Sequence, residues 1–444
     1  MDIANQEAHY AAAGRAASNR GPFRKETRID AGNDTMAYPA RCNIPLLFTT
    51  RIVRMFCYGF LSVILALYLS DNGLSEGRIG LLFTLTLAGD AGISFVLTAV
   101  ADRFGRRRTL LIGALLMAGA GIVFLFTGNF VILIAAAIFG VISPSGNEIG
   151  PFLSVEQAGL TQLVLNENRT RVFAWYNLAG SFATAAGALS GGWLSQLLQS
   201  QGMPPIGAYR IVLMGYAAGG FLLSVLFLTL TPDVEAPPLT RAGGPRRVIG
   251  LHKSLRVVVK LSTLFALDAF AGGFIVQSMV AYWFHVKFGV GPGMLGNIFF
   301  GANILAGISA LLAARIASRI GLINTMVFTH VPSNILLIAV PFMPTLPLAI
   351  GVLMLRFSIS QMDVPTRQSY TMAMVDPDER SAASGVTTIA RSIGASISPS
   401  LTGLLLSAPA LFSAPFFLSG GLKIIYDMLL FRSFRSVKPP EEIK

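Results

Sequence analysis

The chain has 444 residues, of which 53% are hydrophobic and 13% charged, against about 25% charged residues in a soluble domain. A mean hydropathy of +0.63 excludes a water-soluble globular protein. The net charge of +12 does not indicate a nucleic-acid binder, because that function needs Lys and Arg gathered on a soluble face, and here the basic residues separate apolar blocks.

Residues 1–43 are polar, mixed in charge and rich in Ala and Gly, and lack the apolar core of a signal peptide. They are predicted to form a disordered cytoplasmic tail. Apolar runs of about 20 residues, the length that crosses a hydrocarbon core of ~30 Å, then follow at 46–69, 79–100, 109–127, 130–152, 171–196 and 209–230. Six more lie at 258–284, 293–315, 322–342, 346–368, 384–406 and 411–433. Runs of this length must satisfy their own backbone groups in lipid, so twelve transmembrane helices are predicted and the fold class is all-α integral membrane. Cys42 and Cys57 have no metal or redox spacing and are read as inert.

The basic residues divide unevenly. The tail, Arg103 with Arg106 to Arg108, Arg169, Arg171, the central stretch, Arg315, Arg319, Arg380, Arg432, Arg435 and Lys438 fall on one side. Arg78, Arg210 and Lys287 are nearly all that is basic on the other. Both termini are therefore predicted to be cytoplasmic, in a plasma membrane or bacterial inner membrane. The Pro-, Gly- and Arg-rich stretch 231–257 reads as a linker between two bundles at 44–230 and 258–435, with a second tail at 436–444.

The halves match as copies. Gly59-Phe60 and Tyr68 correspond to Gly273-Phe274 and Tyr282, Leu74-Ser75 and Ile79-Gly80 to Val290-Gly291 and Leu295-Gly296, and DRFGRRRT at 102–109 to SRIGLINT at 318–325. A duplication of six helices explains the series.

At 98–107, Thr98, Asp102, Arg103, Gly105, Arg106 and Arg107 resemble the loop signature of the major facilitator superfamily between its second and third helices, with Thr98 in place of the usual glycine. GALSGG at 187–192 is similar to the family's antiporter motif, with Ala188 in place of proline. The resemblance spans roughly 44–435. It implies two pseudo-symmetric six-helix bundles around a central cavity, and a small-molecule substrate. Within the loop, Gly105 permits a tight turn, and the charges serve either to anchor the loop at the membrane surface or as a latch between the halves. Gly187, Gly191 and Gly192 let helices approach closely.

Ions at membrane depth carry the functional signal, since they face a bundle interior or a wet passage. These are Arg54, Asp90, Glu148, Asp268, Arg356, Asp363, Arg367 and Arg391. Arg356, Asp363 and Arg367 have the spacing of one face of a continuous helix. Arg51 is expected to snorkel to the interface, and Lys423 with Asp427 to form a structural pair. Pro144, Gly146, Gly150 and Pro151 are expected to break the fourth helix around Glu148. Glu156 and Arg367 stand thirteen residues before Arg169 and Arg380 respectively, so either they form a salt bridge between the halves or they are independent charges. His330 reads as a packed residue or a proton relay, and Trp175, Tyr176, Tyr282 and Trp283 as interface anchors or a stacking surface.

No phosphate-binding loop, zinc-protease spacing or nucleophile elbow occurs, so no cofactor, no metal and no enzymatic activity is expected. The predicted function is secondary transport by alternating access, coupled to protons through a desolvated carboxyl. Export is the first reading; an uncoupled facilitator or an organic-anion uptake symporter is the alternative. The expected partners are the solute, protons and the lipid bilayer, for a monomer.

Overall fold

The computed structural model describes residues 38–164, 169–236, 254–376 and 379–435. Of the predicted tail at 1–43, residues 1–37 lie outside the described residues, as do the predicted tail at 436–444 and most of the predicted linker, 237–253; residues 38–43 belong to the first helix rather than to a tail. Among those described there is no β-strand. Sixteen α-helices run in the order α1 (Tyr38–Ser62), α2 (Leu65–Asp71), α3 (Glu76–Phe104), α4 (Arg106–Phe126), α5 (Phe130–Phe139), α6 (Phe152–Leu163), α7 (Arg169–Ser200) and α8 (Pro205–Leu228) in the first half. The second half has α9 (Leu255–Gly273), α10 (Gln277–Phe288), α11 (Pro292–Ile320), α12 (Leu322–Ala339), α13 (Leu346–Phe357), α14 (Asp363–Ala373), α15 (Arg380–Leu406) and α16 (Ala414–Phe434).

These elements compose twelve spans, because four of the expected helices are each broken in two. The first breaks between α1 and α2, the fourth between α5 and α6, the seventh between α9 and α10, and the tenth between α13 and α14. The fourth contains the longest break, where Gly146 at φ 68° and Gly150 at φ 82° turn the chain between Pro144 and Pro151. Discontinuous helices leave backbone groups free at membrane depth, which is tolerated where they pair with protein or border a cavity. Ser278 N–H and Oγ–H, at the start of α10, both donate to Pro144 O in the fourth-span break, at 3.0 and 2.7 Å.

Among the described residues eight helical segments are long and apolar enough to cross a membrane, and α5 and α13 are shorter apolar pieces of broken spans. The remaining two spans, α7 and α15, are long but rich in Gly, Ala, Ser and Thr. Small residues belong where helices pack closely, and these two make the close contacts between the halves. A Cβ at Gly192 on α7 would overlap Pro292 O and crowd Gly296 on α11, and one at Gly80 on α3 would overlap Pro399 O on α15. On the flanks, Phe95, Phe126, Val131, Leu228 and Leu404 are exposed, a surface that lipid satisfies and water does not.

The duplication is visible in local geometry. Gly105 at φ 109° joins α3 to α4 and Gly321 at φ 86° joins α11 to α12. At the other end, Ile79 N–H donates to Ser75 O at 3.0 Å and Leu295 N–H to Gly291 O at 3.1 Å. The guanidinium of Arg169 donates to Thr161 O at 2.8 Å, and that of Arg380 to Met372 O at 3.0 Å, each reaching back eight residues.

Candidate functional site

The first ion cluster forms because α1 carries Arg51 and Arg54 one turn apart, facing the broken fourth span. Glu148, inside the break, accepts from Arg51 Nη1 and Arg54 Nε, both at 2.7 Å. Glu156, on α6, accepts from Arg54 Nη1 at 2.9 Å and Nη2 at 2.7 Å, from Thr50 Oγ1 at 2.8 Å, and from the Tyr176 hydroxyl. Arg54 and Glu156 are fully buried. Phe152 and Tyr176 lie under the guanidinium groups of Arg54 and Arg51 at 4.6 and 4.3 Å. Two arginines meet two glutamates, so the cluster is neutral, with Arg51 Nε left without an acceptor. The expectation that Arg51 snorkels to the surface is corrected, because Glu148 offers a second oxygen that holds it inside.

Asp90 stands apart from this cluster. Its Oδ1 accepts from Gly150 N–H at 2.6 Å and from Ser94 Oγ at 3.2 Å. The carboxylate thus fixes one side of the fourth-span break and so helps place Glu148.

In the second half, Asp268 on α9 is shared among three cations. Its Oδ1 accepts from Lys423 Nζ at 2.6 Å, and its Oδ2 from Arg367 Nη1 at 3.0 Å and Arg391 Nη1 at 3.1 Å. Asp363, the first residue of α14, accepts from the same Arg367 Nη1 at 2.9 Å. Arg356 ends α13 on the other side of the tenth-span break. Its side chain has no hydrogen bond or ion pair among the described residues, its Nε is buried without an acceptor, and its guanidinium lies over its neighbour Phe357 at 4.8 Å.

Several expectations are corrected here. Arg356, Asp363 and Arg367 do not line one continuous helix: residues 358–362 interrupt it, with Ile359 N–H turning back to Arg356 O at 3.2 Å and Gln361 N–H meeting Ser309 Oγ at 3.3 Å. The proposed Glu156–Arg367 bridge between the halves is absent, because each charge has a closer partner inside its own half. Lys423 and Asp427 do not pair. Lys423 turns to Asp268, and Asp427 takes His330 Nδ1 at 2.9 Å and Asn334 Nδ2 at 3.4 Å, so the buried His330 is a partnered residue. Of the aromatic candidates, Tyr176 binds Glu156, Tyr282 donates to Glu76 at 2.8 Å, Trp283 packs on Phe416, and Trp175 is exposed.

The charged loop holds together the first half rather than the two halves. Arg106 Nε donates to Asp102 at 2.9 Å, and its Nη1 to Gln162 at 2.8 Å and Val234 O at 3.1 Å. Arg107 Nη2 donates to Leu228 O at 3.2 Å, and Arg103 is exposed. Sequence reasoning missed Glu235, whose carboxylate accepts the N–H groups of Arg106 at 2.6 Å and Arg107 at 3.3 Å at the start of α4. Its signal was an acid inside the expected linker, a place where charge is unremarkable. Gly187 and Gly191 seat α7 against Phe56 and Phe60 of α1 within the half, whereas Gly192 serves the contact between halves.

Among the described residues, every hydrogen bond between the halves lies at mid-depth or toward the end opposite the charged loops. Ser62 binds Gln277 at 2.7 Å and Ser278 at 2.6 Å, Thr84 binds Ser400 at 2.8 Å, and Trp193 binds Asn297 at 2.9 Å. Among the described residues no ion pair joins them. Two bundles hinged in this way, each with a broken helix pair around buried ions, define a membrane transporter.

Comparison with known proteins agrees. The chain belongs to the Major Facilitator Superfamily, whose model matches residues 47–399. It is 32% identical over 424 residues to an uncharacterized membrane protein of Saccharomyces cerevisiae, covering 89% of this chain and 94% of that protein. Among solved structures, it resembles the nucleoside transporter NupG (TM-score 0.71, 14% identity, 88% of this chain and 99% of that one). It also resembles a bacterial homolog of the human lysosomal transporter Spinster (0.69, 17%, 89% and 97%) and a D-xylose-proton symporter (0.68, 14%, 91% and 99%).

Proposed function

We propose that this protein is a secondary active transporter that carries a small solute between its halves by alternating access, with protons as the coupling ion. The observation that carries this reading is the sharing of Arg367 between Asp268 and Asp363 beside the tenth-span break. A proton on Asp363 removes one claim on that guanidinium, so proton occupancy and solute occupancy bear on the same group. Asp268, held by three cations, keeps the arginines in place. Glu148 and Asp90 are the further carboxyl candidates, in the first half, one bound to two arginines and the other to the backbone.

The sign of the coupling follows from the solute's charge. An anion that binds the released arginine binds together with the proton and travels with it. A cation competes with the proton and leaves in exchange for it, which is the export reading.

By the positive-inside rule we place the charged loops and both chain ends in the cytoplasm of a plasma membrane or bacterial inner membrane. In that orientation the conformation opens inward, because the halves meet at the opposite end. We read the molecule as a monomer.

A stabilisation screen of the purified chain identifies a solute that binds, and its uptake into proteoliposomes is then measured under an imposed pH gradient. Uptake is expected to follow the gradient in the parent protein and to lose that dependence in Asp363→Asn. Gradient-independent, equilibrative uptake by the parent protein, or coupling unchanged in every one of Asp90→Asn, Glu148→Gln, Asp268→Asn and Asp363→Asn, would establish an uncoupled facilitator instead.

A further inference from the structure

We infer that the transported solute carries an anionic group, a carboxylate or a phosphate, and that Arg356 receives it. The inference rests on the transporter reading above and names the chemical class of its substrate.

The two ion clusters differ in charge balance. In the first half, Arg51 and Arg54 are matched by Glu148 and Glu156. In the second, Arg356, Arg367, Arg391 and Lys423 face only Asp268 and Asp363, while Asp427 is engaged by His330. The surplus is concentrated on one side chain. Arg356 is 8% exposed and its side chain makes no hydrogen bond among the described residues. Arg391 makes a single bond, to Asp268, and its side chain remains 34% exposed, so it retains free donors.

A buried cation without an acceptor is strongly unfavourable, and a long flexible side chain normally escapes by turning toward water or the interface. Arg356 does not. Its neighbour Leu355 is 57% exposed, on the lipid side, which turns Arg356 toward the protein interior. Its depth is bracketed by α11, where Met354 packs on Gly301 and Gln361 bonds to Ser309. Across the same stretch of α11, Gly307 faces Ser181 of the first half. Arg356 is thus held at the level of the Gly301–Ser309 stretch of α11, the stretch whose Gly307 reaches the first half. Ser360, in the tenth-span break, is also buried with an unpartnered hydroxyl. Four residues apart at this break, a guanidinium and a hydroxyl both lack acceptors, and a guanidinium fork offers bidentate geometry to a carboxylate or a phosphate.

The test measures thermal stability of the purified full chain against inorganic phosphate, acetate, benzoate and succinate at matched ionic strength, with glucose and tetraethylammonium as neutral and cationic controls. One or more of the anions is expected to raise the midpoint in a saturable way. Phosphate or a carboxylate responding alone identifies the source of the group. In Arg356→Gln the apparent affinity should fall about 10- to 100-fold, while the ligand-free midpoint holds or rises because an unpaired charge has been removed. Arg356→Lys should retain part of the affinity.

Equal anion stabilisation in Arg356→Gln would overturn the assignment, as would stabilisation by glucose or tetraethylammonium alone. So would stabilisation by phosphatidylglycerol micelles with no response to any soluble anion, which would mark a lipid site. Anion binding through Arg356 combined with transport indifferent to a pH gradient would refute proton coupling and leave this inference standing. Gradient-driven transport of a neutral solute would do the reverse.

Discussion

Arg54 and Asp268 occupy equivalent positions in the two halves and carry opposite charges. The shift that carries Gly59-Phe60 onto Gly273-Phe274 carries one onto the other. Each pairs with the fourth span of its own half: Arg54 with Glu156 at 2.7 Å, and Asp268 with Arg367 at 3.0 Å. Glu156 and Arg367 are themselves equivalents, each thirteen residues before a loop arginine. The second half therefore repeats the buried ion pair of the first with its polarity reversed.

This arrangement predicts which charge swaps rescue. Glu156→Arg alone leaves Arg54 facing a like charge and should lower stability by about 3–5 kcal/mol. Adding Arg54→Glu should recover much of that loss, whereas adding Arg367→Glu should recover none. Melting midpoints of the three variants in one detergent decide the matter, and rescue by Arg367→Glu would mean that the pair forms between the halves.

Asp268 should be the most sensitive carboxylate of the second cluster. Asp268→Asn leaves Lys423, Arg367 and Arg391 to compete for Asp363, with an expected loss of about 3–5 kcal/mol. Lys423→Met in the same chain removes one stranded cation, so the double variant should be more stable than Asp268→Asn alone. A double variant that melts no higher would show that Lys423 has another partner.

The two packing roles of the α7 glycines can be separated. Gly191→Ala places a methyl against Phe60 O within the first half and should cost about 1–3 kcal/mol. Gly192→Ala places one against Pro292 O and Gly296 at the contact between halves. It should therefore weaken closure at that end while leaving the bundle folded. Crosslinking of cysteines introduced at Trp193 and Asn297, whose side chains bond at 2.9 Å, should fall in Gly192→Ala and persist in Gly191→Ala.

Glu235 provides a test of the charged loop. Replacing its carboxylate with an amide in Glu235→Gln weakens acceptance of two N–H groups at the start of α4 and should cost about 1 kcal/mol. Transport turnover should change more than solute affinity, because the contact lies far from the buried ions. A change confined to affinity would place Glu235 in solute recognition.

Much of this molecule was legible in order along the chain. The apolar runs, the glycine turns at Gly105 and Gly321, the loop signature and the repeated spacing before Arg169 and Arg380 are local or periodic signals, and hydrocarbon thickness converts them directly into spans. The fourth-span break was legible too, because Pro and Gly punctuate backbone within a few residues. The breaks in the first, seventh and tenth spans were not, since Leu61-Ser62-Val63 and Ser358-Ile359-Ser360 are compatible with an unbroken helix.

Partner choice among the ions lay beyond the sequence. Composition and position identified most of the charges inside the spans, because an ion inside a hydrophobic run is visible in one dimension; Arg51, close to a span end, was misplaced. Which oxygen each guanidinium reaches depends on the rotation of one helix against another, and a few ångströms decide between Glu156 and Asp268 as a partner for Arg367 or Arg54. The sequence by itself determined the membrane class, the span count, the duplication and most of the charges inside the spans, Arg51 excepted. The tertiary structure alone decided that the ion pairs close within each half and that Arg356 is left unpaired, since Coulomb energy and hydrogen-bond geometry depend on distances that no spacing along the chain specifies.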